Sequence, residues 1–168
     1  MSSSMLAQFN SLPAETVERE LLHCCAAPAW VKRVAAERPY ADEPTLLRAA
    51  ERAMSDLPWP SVEAAVEAHP RIGQPPGGTA RDALTSRREQ AGTADDDRAT
   101  RAALAEVNEE YERRFGHRFL IYASGRTGAQ MVDAARDRLG NDPETEQNEV
   151  RRELSKITLA RLRTLLSG

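Results

Sequence analysis

Apolar residues recur along this chain every three or four positions, and no stretch shows the sustained apolar/polar alternation of a half-buried strand. The pattern predicts an all-α fold, a compact single-domain bundle of about seven to nine helices. A first helix is expected from near Pro13, with Ser11 as a plausible cap and Val17, Leu21, Leu22 and Cys25 as its apolar residues. Pro28 breaks that pattern, and Trp30, Val31 and Val34 mark a short segment up to Arg38-Pro39. Leu46, Leu47, Ala50 and Met54 place a helix over 43–54, closed by Pro58-Trp59-Pro60. Ser61 then caps a short helix in which Val62, Val66 and His69 share a face, and Pro70 disfavours its continuation. Leu104, Val107, Asn108, Tyr111 and Phe115 predict a long helix over 97–115, ended by Gly116. Residues 119–123, Phe-Leu-Ile-Tyr-Ala, are the one strand-like run. Met131, Val132, Ala135 and Leu139 set a further helix before the break at Gly140 to Pro143, and the last helix is expected over 144–166.

Composition narrows the function classes. A chain of 168 residues that is 40% hydrophobic and 29% charged suits one globular domain spanning 1–168, with residues 1–8 as a candidate disordered tail. A net charge of −3 gives no general attraction to nucleic acid or anionic lipid. No apolar run is long enough to cross a membrane, the start lacks a secretory pattern, and the ending is not a peroxisomal address, so a cytoplasmic protein is expected. Cys24 and Cys25 are adjacent, where a bridge between them would be strained and close almost no loop. With three His and no His-Glu-x-x-His or Cys-x-x-Cys pattern, no metal site is expected.

Three positions carry candidate chemistry. Projecting the last helix at about 100° per residue from Val150 brings Leu154, Ile157 and Leu165 within about 60°, and Arg161 to about 20°. A guanidinium on that apolar stripe needs a carboxylate, carbonyls or an anionic ligand, unless its stem packs while its head reaches solvent. His69 faces inward before a helix-breaking proline; it is either a satisfied core histidine or a proton carrier that titrates near neutrality. Ser86-Arg87-Arg88-Glu89-Gln90 reads as a capping box, yet the residues after it are not the apolar run that such a box introduces. A carboxylate, an amide and a hydroxyl so close together could instead hold a small polar heterocycle. His23 and His117 read as structural or exposed, and Asp95 to Asp97 as helix-start charge.

The order of motifs is informative where each alone is weak. Leu12-Pro13, Cys24-Cys25, Trp30-Val31 and Arg38-Pro39-Tyr40 are followed by His69-Pro70-Arg71-Ile72-Gly73 and Ser86-Arg87-Arg88-Glu89-Gln90-Ala91-Gly92. Asn108-Glu109-Glu110-Tyr111, Arg114-Phe115-Gly116, residues 119–123, Lys156-Ile157 and Arg161-Leu162 complete the series. In this succession the chain resembles the 2-oxo-4-hydroxy-4-carboxy-5-ureidoimidazoline (OHCU) decarboxylases over nearly its full length. The resemblance implies a helical bundle, a homodimer, no metal or organic cofactor, a ureidoimidazoline substrate, and conversion of that substrate to (S)-allantoin and carbon dioxide in urate breakdown. It makes His69, Glu89 and Arg161 the catalytic group. It gives Pro70, Ser86, Arg87, Arg88, Glu89 and Gln90 substrate contacts, with Phe119, Leu120, Ile121, Tyr122 and Ala123 contacting substrate through their backbone. The chain departs from the family pattern at Gln74, at Pro75 to Gly78, and at His117-Arg118, which stands in place of an aromatic-Pro pair. Two other classes stay in view: a different cofactor-free acid–base enzyme acting on a related ureido substrate, and a non-enzymatic helical interaction module. Nucleic-acid and membrane partners are not expected.

Overall fold

The computed structural model describes residues 2–72, 85, 88–89 and 98–168. Among them stand eight helices and no strand: α1 (Ser2–Ser11), α2 (Ala14–Cys24), α3 (Pro28–Ala36), α4 (Glu43–Ser55), α5 (Trp59–Glu67), α6 (Arg98–Phe115), α7 (Gly128–Arg138) and α8 (Pro143–Ser167). The chain divides into two compact units. One comprises residues 1–65 and 155–168, the other residues 66–154, and α8 contributes to both.

The first unit is built from short amphipathic helices joined by tight turns. α1 lies ahead of the helix expected near Pro13, and it buries Leu6 and Phe9, three residues apart on one face. Val17, Leu21 and Cys24 form the inward line of α2, while Leu22 is 46% exposed and so stands outside the apolar set that spacing had given it. Pro28 begins α3 rather than only ending its predecessor, because proline in the first turn gives up an N–H that has no helical partner there. Trp30 is fully buried and its indole Nε1 donates to the Ala50 carbonyl at 2.9 Å, fixing α3 against α4. The facing surface of α4 is small, with Ala49, Ala50 and Ala53 beside Leu46 and Met54. Asp42 caps α4 by accepting from Thr45 N at 2.8 Å. Arg38, next to the cis bond to Pro39, donates to the carbonyls of Phe9, Leu12 and Ala35 at 2.7–2.9 Å, which answers the acceptors left over at helix ends.

The second unit has a core of Ile72, Leu104, Val107, Tyr111, Phe119, Ile121, Ala123, Met131, Val132 and Ala135. α6 ends as predicted before Gly116, whose φ of +79° is costly for any residue with a Cβ. Thr127 opens α7 with a reciprocal capping box to Gln130. Between α6 and α7, residues 118–123 run without helical or strand pairing, and Phe119, Leu120, Ile121 and Ala123 of the strand-like run are buried. α5 starts at Trp59, two residues before the cap expected at Ser61.

Candidate active site

α5 buries Val62, Ala65 and Val66, and its helical bonding ends at Glu67. The backbone then turns: His69 N donates to Val66 O at 3.0 Å, and His69 comes to rest 8% exposed, inward as its spacing predicted. Pro70 beside it is half-buried. The residues after it are held from α6. Arg71 donates both Nε and NH2 to Glu112 at 2.6 and 3.2 Å, and buried Asn108 donates to the Ile72 carbonyl at 2.9 Å. On the other side Arg118 donates through NH1 to the carbonyls of Glu67 (3.0 Å) and His69 (2.8 Å). The segment bearing His69 is thus pinned before and after the imidazole.

The run 119–123 is the second segment expected to contribute to the site. Phe119, Leu120, Ile121 and Ala123 are each 3% exposed, and Tyr122 is half-buried. An unpaired extended run inside a protein must find partners for its peptide groups. Arg138 NH1 donates to Leu120 O at 2.7 Å, and Tyr122 N donates to Glu153 Oε1 at 3.3 Å. Arg138 lies 4.7 Å from the Phe119 ring centroid and is paired in the interior with Glu146, which also accepts from the Tyr111 hydroxyl and from Asn141 Nδ2. Burial works against the Arg138 charge, and the bonds and charge of Glu146 more than offset it, so its pKa stands above the ordinary arginine value. Burial, then its bond to Glu146, push the Tyr111 hydroxyl far up, which keeps it a donor. Three of the backbone groups expected to face a ligand are therefore engaged by protein, because Ala123 O also accepts from Arg126 N at 3.0 Å.

Glu89 is helical and half-buried, and Arg88 is exposed. Ser86, Arg87 and Gln90 lie outside the described residues, as do Gln74 and the loop 75–78. Arg161 belongs to the first unit. It is half-buried rather than fully sunk in the stripe that spacing had suggested, and its NH1 donates to the His23 carbonyl at 3.3 Å. The buried Cys25 thiol is close to it: burial pushes that thiol up from 9.0 to about 11, against the opposing pull of a bond with Thr158, a backbone bond at Ala27 and the charge of Arg161.

Sequence reasoning missed Arg118, Arg138, Glu146 and Glu153. A signal for the last two was present, since the same projection that singled out Arg161 sets Glu146 and Glu153 within about 40° and 60° of Val150.

Set against known proteins, residues 10–163 match the family described as OHCU decarboxylase. A protein of Amia calva named 2-oxo-4-hydroxy-4-carboxy-5-ureidoimidazoline decarboxylase is 30% identical over 96% of this chain and 94% of its own length. The uric acid degradation bifunctional protein TTL of Arabidopsis thaliana is 29% identical over 91% of this chain, which spans about half (48%) of that longer protein. Among solved structures, an OHCU decarboxylase crystallised in the presence of (S)-allantoin superposes with a TM-score of 0.75 at 29% identity, covering 89% of this chain and 98% of that one. An (S)-allantoin synthase shares the fold at a TM-score of 0.70 and 15% identity, over 95% of this chain and 53% of that one.

Proposed function

The chain belongs to the OHCU decarboxylase family, and from that premise we propose that it converts 2-oxo-4-hydroxy-4-carboxy-5-ureidoimidazoline to (S)-allantoin and carbon dioxide in urate breakdown, with His69 as its acid–base group. The observation that carries the reading is the placement of His69: a buried imidazole on a segment pinned by Arg118, Arg71 and Asn108, and linked through Arg118 to the start of the non-helical run 119–123.

The chemistry needs little beyond proton handling. The carbon that loses its carboxylate also bears a hydroxyl and neighbours a ring C=N bond. When the C–C bond to the carboxylate breaks, its electron pair forms a C=C bond within the ring and the former C=N pair moves to nitrogen, leaving an enol. Loss of the hydroxyl proton and protonation of the ureido-bearing carbon give the keto form, and protonation from one face gives (S)-allantoin. The net change exchanges carbon dioxide for one proton. His69, oriented by Glu89, takes the hydroxyl proton and assists the transfers that follow. Arg161 supplies a fixed cation for the substrate's charge. Ser86, Arg87, Arg88, Gln90, Pro70 and free backbone groups of 119–123 hold the heterocycle. On the family resemblance we add a homodimer to the proposal; no helix among the described residues is long and apolar enough to cross a membrane.

The test is to supply freshly made urate-oxidation product and follow (S)-allantoin by circular dichroism. The expected result is chiral product formed well above the uncatalysed rate; racemic product at the spontaneous rate would refute the assignment. His69→Asn is expected to lose about 10²-fold or more in kcat with its melting temperature kept. Arg161→Ala should raise KM and lower kcat; a lowered melting temperature with normal kinetics would return Arg161 to a structural role.

A further inference from the structure

Arg118 stands at a position where the chain departs from the pattern it otherwise resembles, and its side chain serves the end of α5 and the turn after it. Its NH1 reaches two carbonyls, those of Glu67 at 3.0 Å and His69 at 2.8 Å, and its Nε lies 3.3 Å from the Glu67 carboxylate. The carbonyls at the end of α5 have no helical donors of their own, and the helix dipole favours a cation there. A guanidinium holds its donors in a rigid planar fork, whereas an ammonium carries three donors at the end of a flexible stem.

The consequence concerns the imidazole. The two accepting carbonyls belong to the Glu67–Ala68 and His69–Pro70 peptides, so a peptide plane is held on each side of the Ala68–His69 link, and the second of these planes includes the Cα from which the His69 ring is swung. Arg71 and Asn108 hold the chain only from the far side of His69. Arg118 also immediately precedes the run 119–123, whose Leu120 carbonyl is held by Arg138. One side chain thereby ties the histidine segment to the start of the run 119–123.

We propose that Arg118 is a positioning residue for His69, holding the turn after α5 so that the imidazole meets the substrate in a reactive geometry. The inference rests on the acid–base role assigned to His69 above. A displacement of about 1 Å at a catalytic group can cost about 10²-fold in rate, while a substrate held by other residues binds almost as before.

The full-length chain is assayed as wild type, Arg118→Met, Arg118→Lys, Glu67→Gln and His69→Asn, with thermal melts on each. Arg118→Met is expected to lose about 10- to 100-fold in kcat with KM within about threefold, while remaining folded at the assay temperature. Arg118→Lys, which keeps donors for the carbonyls but on a flexible stem without the rigid fork, should recover part of that loss and remain at least about threefold below wild type. Glu67→Gln leaves both carbonyl bonds in place and should stay within about twofold of wild type. Wild-type kcat in Arg118→Met, a loss seen in KM alone, a loss matched by the unfolded fraction, or an equal loss in Glu67→Gln would each overturn the proposal. Should Arg118→Met fail to fold, Arg118→Lys decides, and wild-type kcat there overturns it. His69→Asn separates the two levels: if it keeps its rate, the acid–base reading fails and this inference with it. If it is crippled while the Arg118 variants are normal, only the inference fails.

Discussion

The two units bury different kinds of residue. In the first, the interior is almost wholly aliphatic and aromatic, and Thr158 is its one fully buried polar side chain among the described residues. In the second lie His69, Asn108, His117, Arg138, Glu146 and Glu153, all buried. The difference follows from the backbone. Where helices meet through tight turns, main-chain groups satisfy one another and burial can be apolar, each sunk Leu or Val contributing about 1.5–3 kcal/mol. Where chain outside helices passes beside or through the core, as at 68–72 and 118–123, several of its carbonyls are met by side chains, and charged donors are the strong ones. The unit that carries the irregular backbone therefore carries the buried charge, and with it the proposed proton chemistry.

The sharpest way to break this comparison is at Glu146. Glu146→Ala leaves Arg138 buried beside Tyr111 and Phe119 without its counter-ion, and a loss of about 3–5 kcal/mol in unfolding free energy is expected in urea titrations. The double change Arg138→Met with Glu146→Leu removes both charges and should recover part of that loss. It still leaves the Leu120 carbonyl and the Tyr111 hydroxyl without these partners, so a deficit of about 1–3 kcal/mol should remain. A double variant as stable as wild type would show that the ion pair is not there to satisfy the extended run.

The same contrast separates what was legible in the sequence from what was not. α2, α4, α6, α7 and α8 announce themselves by period, because each buries a stripe of residues close in sequence. α1 does not: Leu6 and Phe9 are only two anchors, and the tertiary link between Asn10 and the Tyr40 backbone, thirty residues away, is invisible to a local window. At the site, the inward turn of His69 was readable from Val62 and Val66, since helical spacing alone sets that face. Arg118 could be noticed only as a departure from a familiar pattern, because the carbonyls it serves are 49 and 51 residues distant. Glu146 and Glu153 were passed over because carboxylates on a long polar helix ordinarily face solvent. Their place on the buried stripe was computable, but only tertiary structure shows Arg138 and the Tyr122 amide waiting there.

A smaller effect sharpens the comparison from the apolar side. Cys25 is the titratable group sunk beside Arg161, and burial pushes its thiol from 9.0 to about 11. The folded chain therefore prefers the neutral thiol. Below pH 9 both folded and unfolded chains hold the proton and the contribution of the buried thiol is complete; between pH 9 and about 11 the unfolded chain ionises first, and that contribution drains away. Tyr40, raised by burial to about 12, and Tyr111 titrate in alkali too, so the measurement has to be a difference. Cys25→Ala retains both tyrosines. The gap in unfolding free energy between wild type and Cys25→Ala should shift by about 1–3 kcal/mol, to the disadvantage of wild type, when urea titrations at pH 8 are repeated at pH 11. A gap independent of pH would mean that the thiol ionises in the folded chain as readily as in the unfolded one. The surroundings of Arg161 would then be wet enough to screen its charge, and an arginine screened in that way is a poor candidate for the fixed cation of the reaction.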